Sequence, residues 1–513
     1  MKKGFSTIEL MVAMAIMIMV LTAVVVVSFG NQSFLIGAQT TGEAMNMAQE
    51  LLEQEQAQAR KDFNLVNNIA STTEDIYEKA VYVTLLPDLL TKEVKALIAW
   101  DGERGLRHML ELTTLIANFE TPVGANTCNS NLSGDWQNPV IEETVSLPGT
   151  ASDIDAYQNR LYITLSKTAN NIDSTFLIFD ITDPSDPDLE GSIDNEGAGG
   201  TTISGLNAVR VSQDPASSPI KTYAYAANAY AANYSSCDPI AKRNCGQLSI
   251  FDVTDPSAPV LGTNLMLASS SAPFVTGNWI GNSLFYKNGY LLLGLAGAGG
   301  SGPEFHVIDV HNPALMFGGT HILFPVGSYP VGNDVNAIAM RGTYAYIVTP
   351  NSQELQTLDM TNPSALTLAG GFNAATGAGN GKSLYQVGNY LYLGKTVPNS
   401  GADFHILDNT IPGAALIELG SGIDTGSSVN AVMQRDYLSF ILTNSELQIF
   451  RTDDTDDDGI PNITMWAPTP LTIPENSVSP IPEPSMDCED NHLYITSNDS
   501  SGNGFLYVIK AGI

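Results

Sequence analysis

FLIFDITDPSDP at 176–187 sets the fold of the larger part of this 513-residue chain. A short apolar run ends in an acid and passes into a proline-bearing turn, the pattern of a buried strand followed by a tight reversal. The pattern returns as LSIFDVTDPSAP at 248–259, FHVIDVHNP at 305–313, LQTLDMTNP at 355–363 and FHILDNTIP at 404–412. Degenerate copies follow, LQIFRTDDTDDD from 447 and LYVIK from 506. Upstream of each lies a second apolar strand: RLYIT from 160, YAYAAN from 223, YLLLGL from 290, YAYIVT from 344, YLYLGK from 390, YLSFIL from 437 and HLYITS from 492.

About seven such units, spaced by roughly 45–70 residues and separated by Gly, Asn and Pro turns, predict an all-β propeller of about seven four-stranded blades. The motif is similar to the LVIVD repeat, a propeller-type family. In each blade the Tyr-containing strand is expected second, the Ile-Phe-Asp strand third and the segment after Asn/Asp-Pro fourth. The last unit lacks a fourth strand because the chain stops at Ile513, and PVIEETVSL at 139–147 is expected to supply it and close the ring. Closure removes sheet edges that would otherwise recruit other strands.

Outward from the repeats, the chain opens MKKGFSTIELMVAMAIMIMVLTAVVVVSFG, a basic leader ending in Gly4 before an apolar run that Glu9 interrupts. The one plausible cut, between Gly4 and Phe5, precedes the apolar run instead of following it. This segment resembles the N-terminus of a type IV pilin or pseudopilin precursor. The resemblance implies cleavage by a prepilin peptidase after Gly4, N-methylation of Phe5, and pairing of Glu9 with the amine of a neighbouring subunit. The run from Phe5 to Phe29 is about 25 residues, enough at about 1.5 Å per residue to span a bilayer core. It is expected to be a transmembrane helix that continues into water as a stalk through AMNMAQELLEQEQAQARKDF. Strand patterns around Asp101 and Gly102 then resemble a reduced pilin β-region.

The resulting division is a leader at 1–4, a transmembrane and stalk α-helix at 5–70, a small pilin-like β-region at 71–120, a linker at 121–138 and the propeller at 139–513. A formal charge of −32 excludes long-range attraction to nucleic acid. The four cysteines form an even set suited to an oxidising compartment. Closure of the ring by 139–147 brings Cys128 to Cys488, while Cys237 and Cys245 close a short local loop.

The recurring acids Asp180, Asp252, Asp309, Asp359 and Asp408 read as turn-formers that accept hydrogen bonds from the backbone. His306 and His405, at equivalent positions, read as strand-packing residues. The loop Asp454, Asp456, Asp458, Gly459, Ile460 and Asn462 resembles a DxDxDG calcium loop, with the carbonyl of Ile460 and an oxygen of Asn462 as further ligands and calcium as a structural staple. Met465 stands where an EF-hand has its bidentate glutamate. No Ser/His/Asp order, HExxH or phosphate loop is present, so the chain is expected not to be an enzyme.

The function these readings predict is a minor or tip type IV pilin-like subunit displaying a propeller for adhesion, held in the inner membrane as a precursor and then placed in an extracellular filament. Its partners are other pilin subunits, the peptidase and an extracellular ligand or surface. The alternatives are a pseudopilin of a type II secretion-like system and a propeller enzyme such as a lactonase.

Overall fold

The computed structural model describes the chain except residues 1–6, 60–65, 67, 86–90, 102–106, 118–127, 129–131, 169–174, 194–204, 215, 216, 218, 230–245, 268–278, 298–302, 317–321, 351–352, 375–379, 397–400, 454–459, 474–484 and 513. Two compact units result, Met1–Phe119 and Glu120–Ile513.

The first unit contains helix α1 (Thr7–Ala59) and strands β1 (Ile69–Glu74), β2 (Tyr77–Leu85), β3 (Thr91–Asp101) and β4 (Arg107–Ala117). The strands form one antiparallel sheet in chain order. Ala44 and Ala48 of α1, four residues apart and hence on one face, pack on Tyr77, Ala96, Ile98 and Trp100, with Leu51 and Leu52 extending the contact. Small alanines let the helix sit close on the sheet. The Tyr77 hydroxyl donates to Glu43 at 2.9 Å across this contact.

Two expectations are corrected here. No helix among the described residues is long and apolar enough to cross a membrane, so the transmembrane assignment of 5–70 falls. The apolar run is the first part of a continuous helix that carries Glu9 and turns polar toward Ala59. That helix also stops short of residue 70, since Ile69 already belongs to β1, whose turn to β2 uses Asp75 at φ 53°.

The described residues of the second unit form seven blades, antiparallel except that Ile322–Leu323 adds a parallel edge to the second, and the molecule is mostly β-sheet. Blade 1 runs Gly149–Ala156, Arg160–Thr168, Phe176–Asp180 and Asp188–Ile193, from the innermost strand outward. The innermost strands of blades 2 to 7 are Leu206–Asp214, Ile280–Lys287, Ala337–Arg341, Gly381–Val387, Ala431–Arg435 and Ser485–Glu489. In every blade the Tyr-containing or His492 strand is second and the apolar motif third. Blade 7 takes its fourth strand from Asp135–Ser146, which pairs antiparallel with Gly504–Gly512. Of the expected linker 121–138, residues 135–138 belong to this strand. Trp136 is 3% exposed in the core shared by blades 6 and 7, where Cys128 and Leu132 also pack.

The propeller has a separate apolar cluster at each blade interface. Tyr162 and Phe176 meet Val209 and Phe251 between blades 1 and 2, and Phe440 and Ile449 meet Leu493 and Ile509 between blades 6 and 7. The motif acids lie outside these cores. Asp180, Asp359 and Asp408 each accept from the backbone N–H two residues on, at 2.8 Å, and Asp252 and Asp309 do so at 3.1 and 3.0 Å. Hydrogen bonds from the Thr182 and Thr361 side chains, together with these backbone bonds, hold the Asp180 and Asp359 carboxyls below the ordinary range. Asp359→Ala is expected to cost about 1 kcal/mol, read as a lower urea midpoint with an unchanged slope. An unchanged midpoint would remove the turn from the list of stabilising features.

Candidate functional site

The innermost strands surround a channel with a cavity of about 240 Å³ lined by residues of all seven blades. Its charged side chains are Asp153, Asp155, Arg210, Asp487 and Lys382, the last donating to Asn430 Oδ1 of blade 6 at 2.9 Å. Asp153 and Asp155, two residues apart on one strand, project to the same side and reach blade 2. Asp153 Oδ2 accepts from Val209 N at 3.0 Å and from Arg210 Nη1 at 2.9 Å, while its Oδ1 takes the Ser485 hydroxyl of blade 7 at 2.7 Å. Asp155 Oδ2 accepts from Val211 N at 2.8 Å. Asp487 accepts from Ala156 N of blade 1 at 2.7 Å and from Cys488 N at 2.8 Å. The Arg210 guanidinium thus lies 2.9 Å from Asp153 and 3.9 Å from Asp155, and the three carboxylates join blades 7, 1 and 2.

Neutral groups at repeating positions also join neighbouring blades. The hydroxyls of Ser152, Ser283 and Ser383 donate to the carbonyls of Leu206, Val335 and Val429 at 2.5, 2.8 and 3.4 Å, each on the next blade. Asn207 and Asn336 donate onward to the carbonyls of Gly281 and Gly381 at 2.8 and 2.7 Å. A Cβ on Gly281 would lie 2.3 Å from the Gln247 carbonyl oxygen, so only glycine permits that approach. Between blades 6 and 7, Arg435 donates to the Asp490 carbonyl. The polar lining of the channel is therefore largely committed to neighbouring blades.

These residues were not identified from the sequence. Their signals were the carboxylates two apart at Asp153 and Asp155, and the recurrences LNAV at 206–209, VNAI at 335–338 and VNAV at 429–432. Also unanticipated is the pair Lys395 and Glu354, at 2.7 Å with the side chains 0% and 2% exposed, which joins blades 4 and 5.

Cys128 and Cys488 form a disulfide with Cα atoms 5.5 Å apart. Gly4, Phe5, Cys237, Cys245, Asp454, Asp456 and Asp458 lie outside the described residues, as does the side chain of Glu9, whose backbone belongs to α1. Ile460 is exposed, and Asn462 opens the fourth strand of blade 6 opposite Asp453. His306 and His405 are buried and contact the carbonyls of Pro303 and Ala402 at 2.9 and 3.1 Å. Among the described residues, the sole group of three side chains placed to share a metal is Cys128, Asp487 and Cys488, two of which are the disulfide. The channel acids do not converge in that way.

Burial pushes Asp155 well above the ordinary carboxyl range and Asp487 up to about 6, and pushes His306 down to about 4. The two kinds of group act on stability in opposite senses. Asp487 is favoured protonated in the fold, a contribution present below its unfolded value near 4 and lost as pH rises through about 6. His306 is favoured neutral, a contribution present above about 6.5 and lost as pH falls through about 4. Between pH 7.5 and 5, Asp487→Asn is expected to steepen the loss of stability on acidification, and His306→Gln to flatten or reverse it. Urea midpoints at pH 7.5, 6 and 5 check this, and parallel curves for both variants and the parent would refute it.

The family match agrees with the repeat architecture. Residues 148–195 and 332–374 match the LVIVD repeat. A crystal structure of a Bacteroides uniformis protein named for 6-phosphogluconolactonase aligns with 74% of this chain and 92% of its own at 10% identity, with a TM-score of 0.41. No curated protein matches.

Proposed function

We propose that the chain is a type IV pilin-like filament subunit, minor or at the tip, that presents a seven-bladed propeller for adhesion. The observation that carries this reading is the division of labour along α1. Its later half packs on a four-stranded antiparallel sheet, while Met11, Val12, Met14, Ile16, Met17 and Ile18 stand 53–72% exposed. An apolar helix surface of that size calls for cover, and side-by-side copies of the same helix provide it. GFSTIEL, with Glu9 as the acid that pairs with a neighbour's amine, supports the same assembly. The commitment of channel groups to neighbouring blades favours a binding head over an enzyme.

The calcium reading belongs to this proposal. Asp453 pairs with Asn462 at the foot of the acidic loop, so the ends of 454–461 are held together, as a loop that wraps a cation requires. Asp454, Asp456 and Asp458 would hold the ion with Ile460 and Asn462. A melting temperature raised by calcium and lowered by a chelator is the expected result, and no response would remove the ion from the account.

Sheared surface filaments are the material for the main test. Mass spectrometry is expected to find a mature N-terminus at Phe5, and an antibody to the propeller to label filaments. Glu9→Ala should leave the propeller folded and abolish incorporation. A mature terminus beyond residue 25, or normal incorporation of the variant, would sink the proposal; labelling of secretion complexes without extracellular filaments would favour the pseudopilin alternative.

A further inference from the structure

The route by which the chain enters the ring has a mechanical weakness and a device that offsets it. The closing strand pairs with the last strand so that Asp135 lies opposite Gly512, Val140 opposite Lys510 and Ser146 opposite Phe505. The hydrogen bonds of an antiparallel pair run across the strands, so tension drawn at the Asp135 end loads one rung at a time and unzips the seam. Among the described residues just ahead of that strand, Leu132 N donates to Asp436 at 2.7 Å, and Ser133 N to Asn491 at 2.9 Å with a return bond from Asn491 at 2.8 Å.

Cys128 comes before all of these in the chain. Its partner Cys488 is 0% exposed on the innermost strand of blade 7, opposite Leu493 of the second strand. The adjacent Asp487 is bonded to blade 1 through Ala156 N. We propose that the Cys128–Cys488 bond is a tension shunt, which passes load arriving from the N-terminal side directly to the inner wall of the ring and leaves the closing strand unloaded. The inference rests on the stalk-and-head reading only for the origin of the load, and the mechanics can be measured without a filament.

The test is the full chain, tethered by its two termini in optical tweezers. The cysteines are 360 residues apart, so the oxidised chain is expected to withhold about 1,200 Å of extension at about 3.4 Å per residue. Cys128→Ser, folded at zero force, is expected to open its ring at a lower force than any ring rupture of the oxidised chain and to release that length. If the variant does not fold, adding dithiothreitol to the folded, tethered parent gives the same comparison. An oxidised chain that releases the full length, or a Cys128→Ser or reduced ring that opens only at the force of the oxidised one, would overturn the shunt. Those outcomes leave the filament proposal standing, because that proposal is read from Glu9 and the mature N-terminus.

Discussion

Lys395→Met is expected to lower the stability of the propeller by about 3–5 kcal/mol, the usual cost of leaving one member of a buried ion pair without its partner. The ammonium meets Glu354 Oε1 at 2.7 Å in an interface closed to water. Glu354 Oε2 also accepts from Ala374 N at 3.1 Å, so the carboxylate cannot swing away to solvent without breaking a backbone contact. Left unpaired, the charge must persist in an apolar setting or take up a proton, and both destabilise. Combining Lys395→Met with Glu354→Gln removes the stranded charge while keeping an acceptor for Ala374, and should restore more than half of the loss. Urea unfolding of the parent, the single variant and the double variant decides the point. A single-variant loss under about 1 kcal/mol, or a double variant less stable than the single, would show that the pair does not hold blades 4 and 5 together.

Removal of residues 135–146 is expected to have a larger effect, the loss of soluble folded protein. Without that strand Gly504–Gly512 becomes a nine-residue edge, and long unpaired edges recruit other chains. Trp136 would leave the cluster between blades 6 and 7. The deletion also separates Cys128 from its position beside Cys488, so a control with Cys128→Ser alone isolates the strand. A soluble monomer from the deleted chain, with the far-ultraviolet spectrum of the parent, would show that the ring does not need its closing strand.

The third strands were legible in the sequence because the first five carry their own explanation, an apolar run, an acid that caps the next turn and a proline that fixes it, and the last two keep the apolar run. The closing strand was legible by subtraction, since the last unit has only three. The innermost strands were not. Ser152, Asn207, Ser283, Asn336 and Ser383 look like loop residues, and their role depends on carbonyls of the next blade, information that lies elsewhere in the chain. Lys395 and Glu354 were hidden for the same reason, being 41 residues apart. On α1, apolar spacing pointed to helix but could not tell a membrane-crossing element from the start of a longer polar one.

The pairing of Asp135–Ser146 with Gly504–Gly512 also sets a clock. On a ribosome adding roughly 5–20 residues per second, the interval between Asp135 and Gly512 takes about 20–75 s. During that time blades 1 to 6 can form in order while the closing strand, synthesised first, has nothing to pair with. The ring is therefore completed only once Gly512 has been made, and the first strand of the ring to be made is the last to be placed.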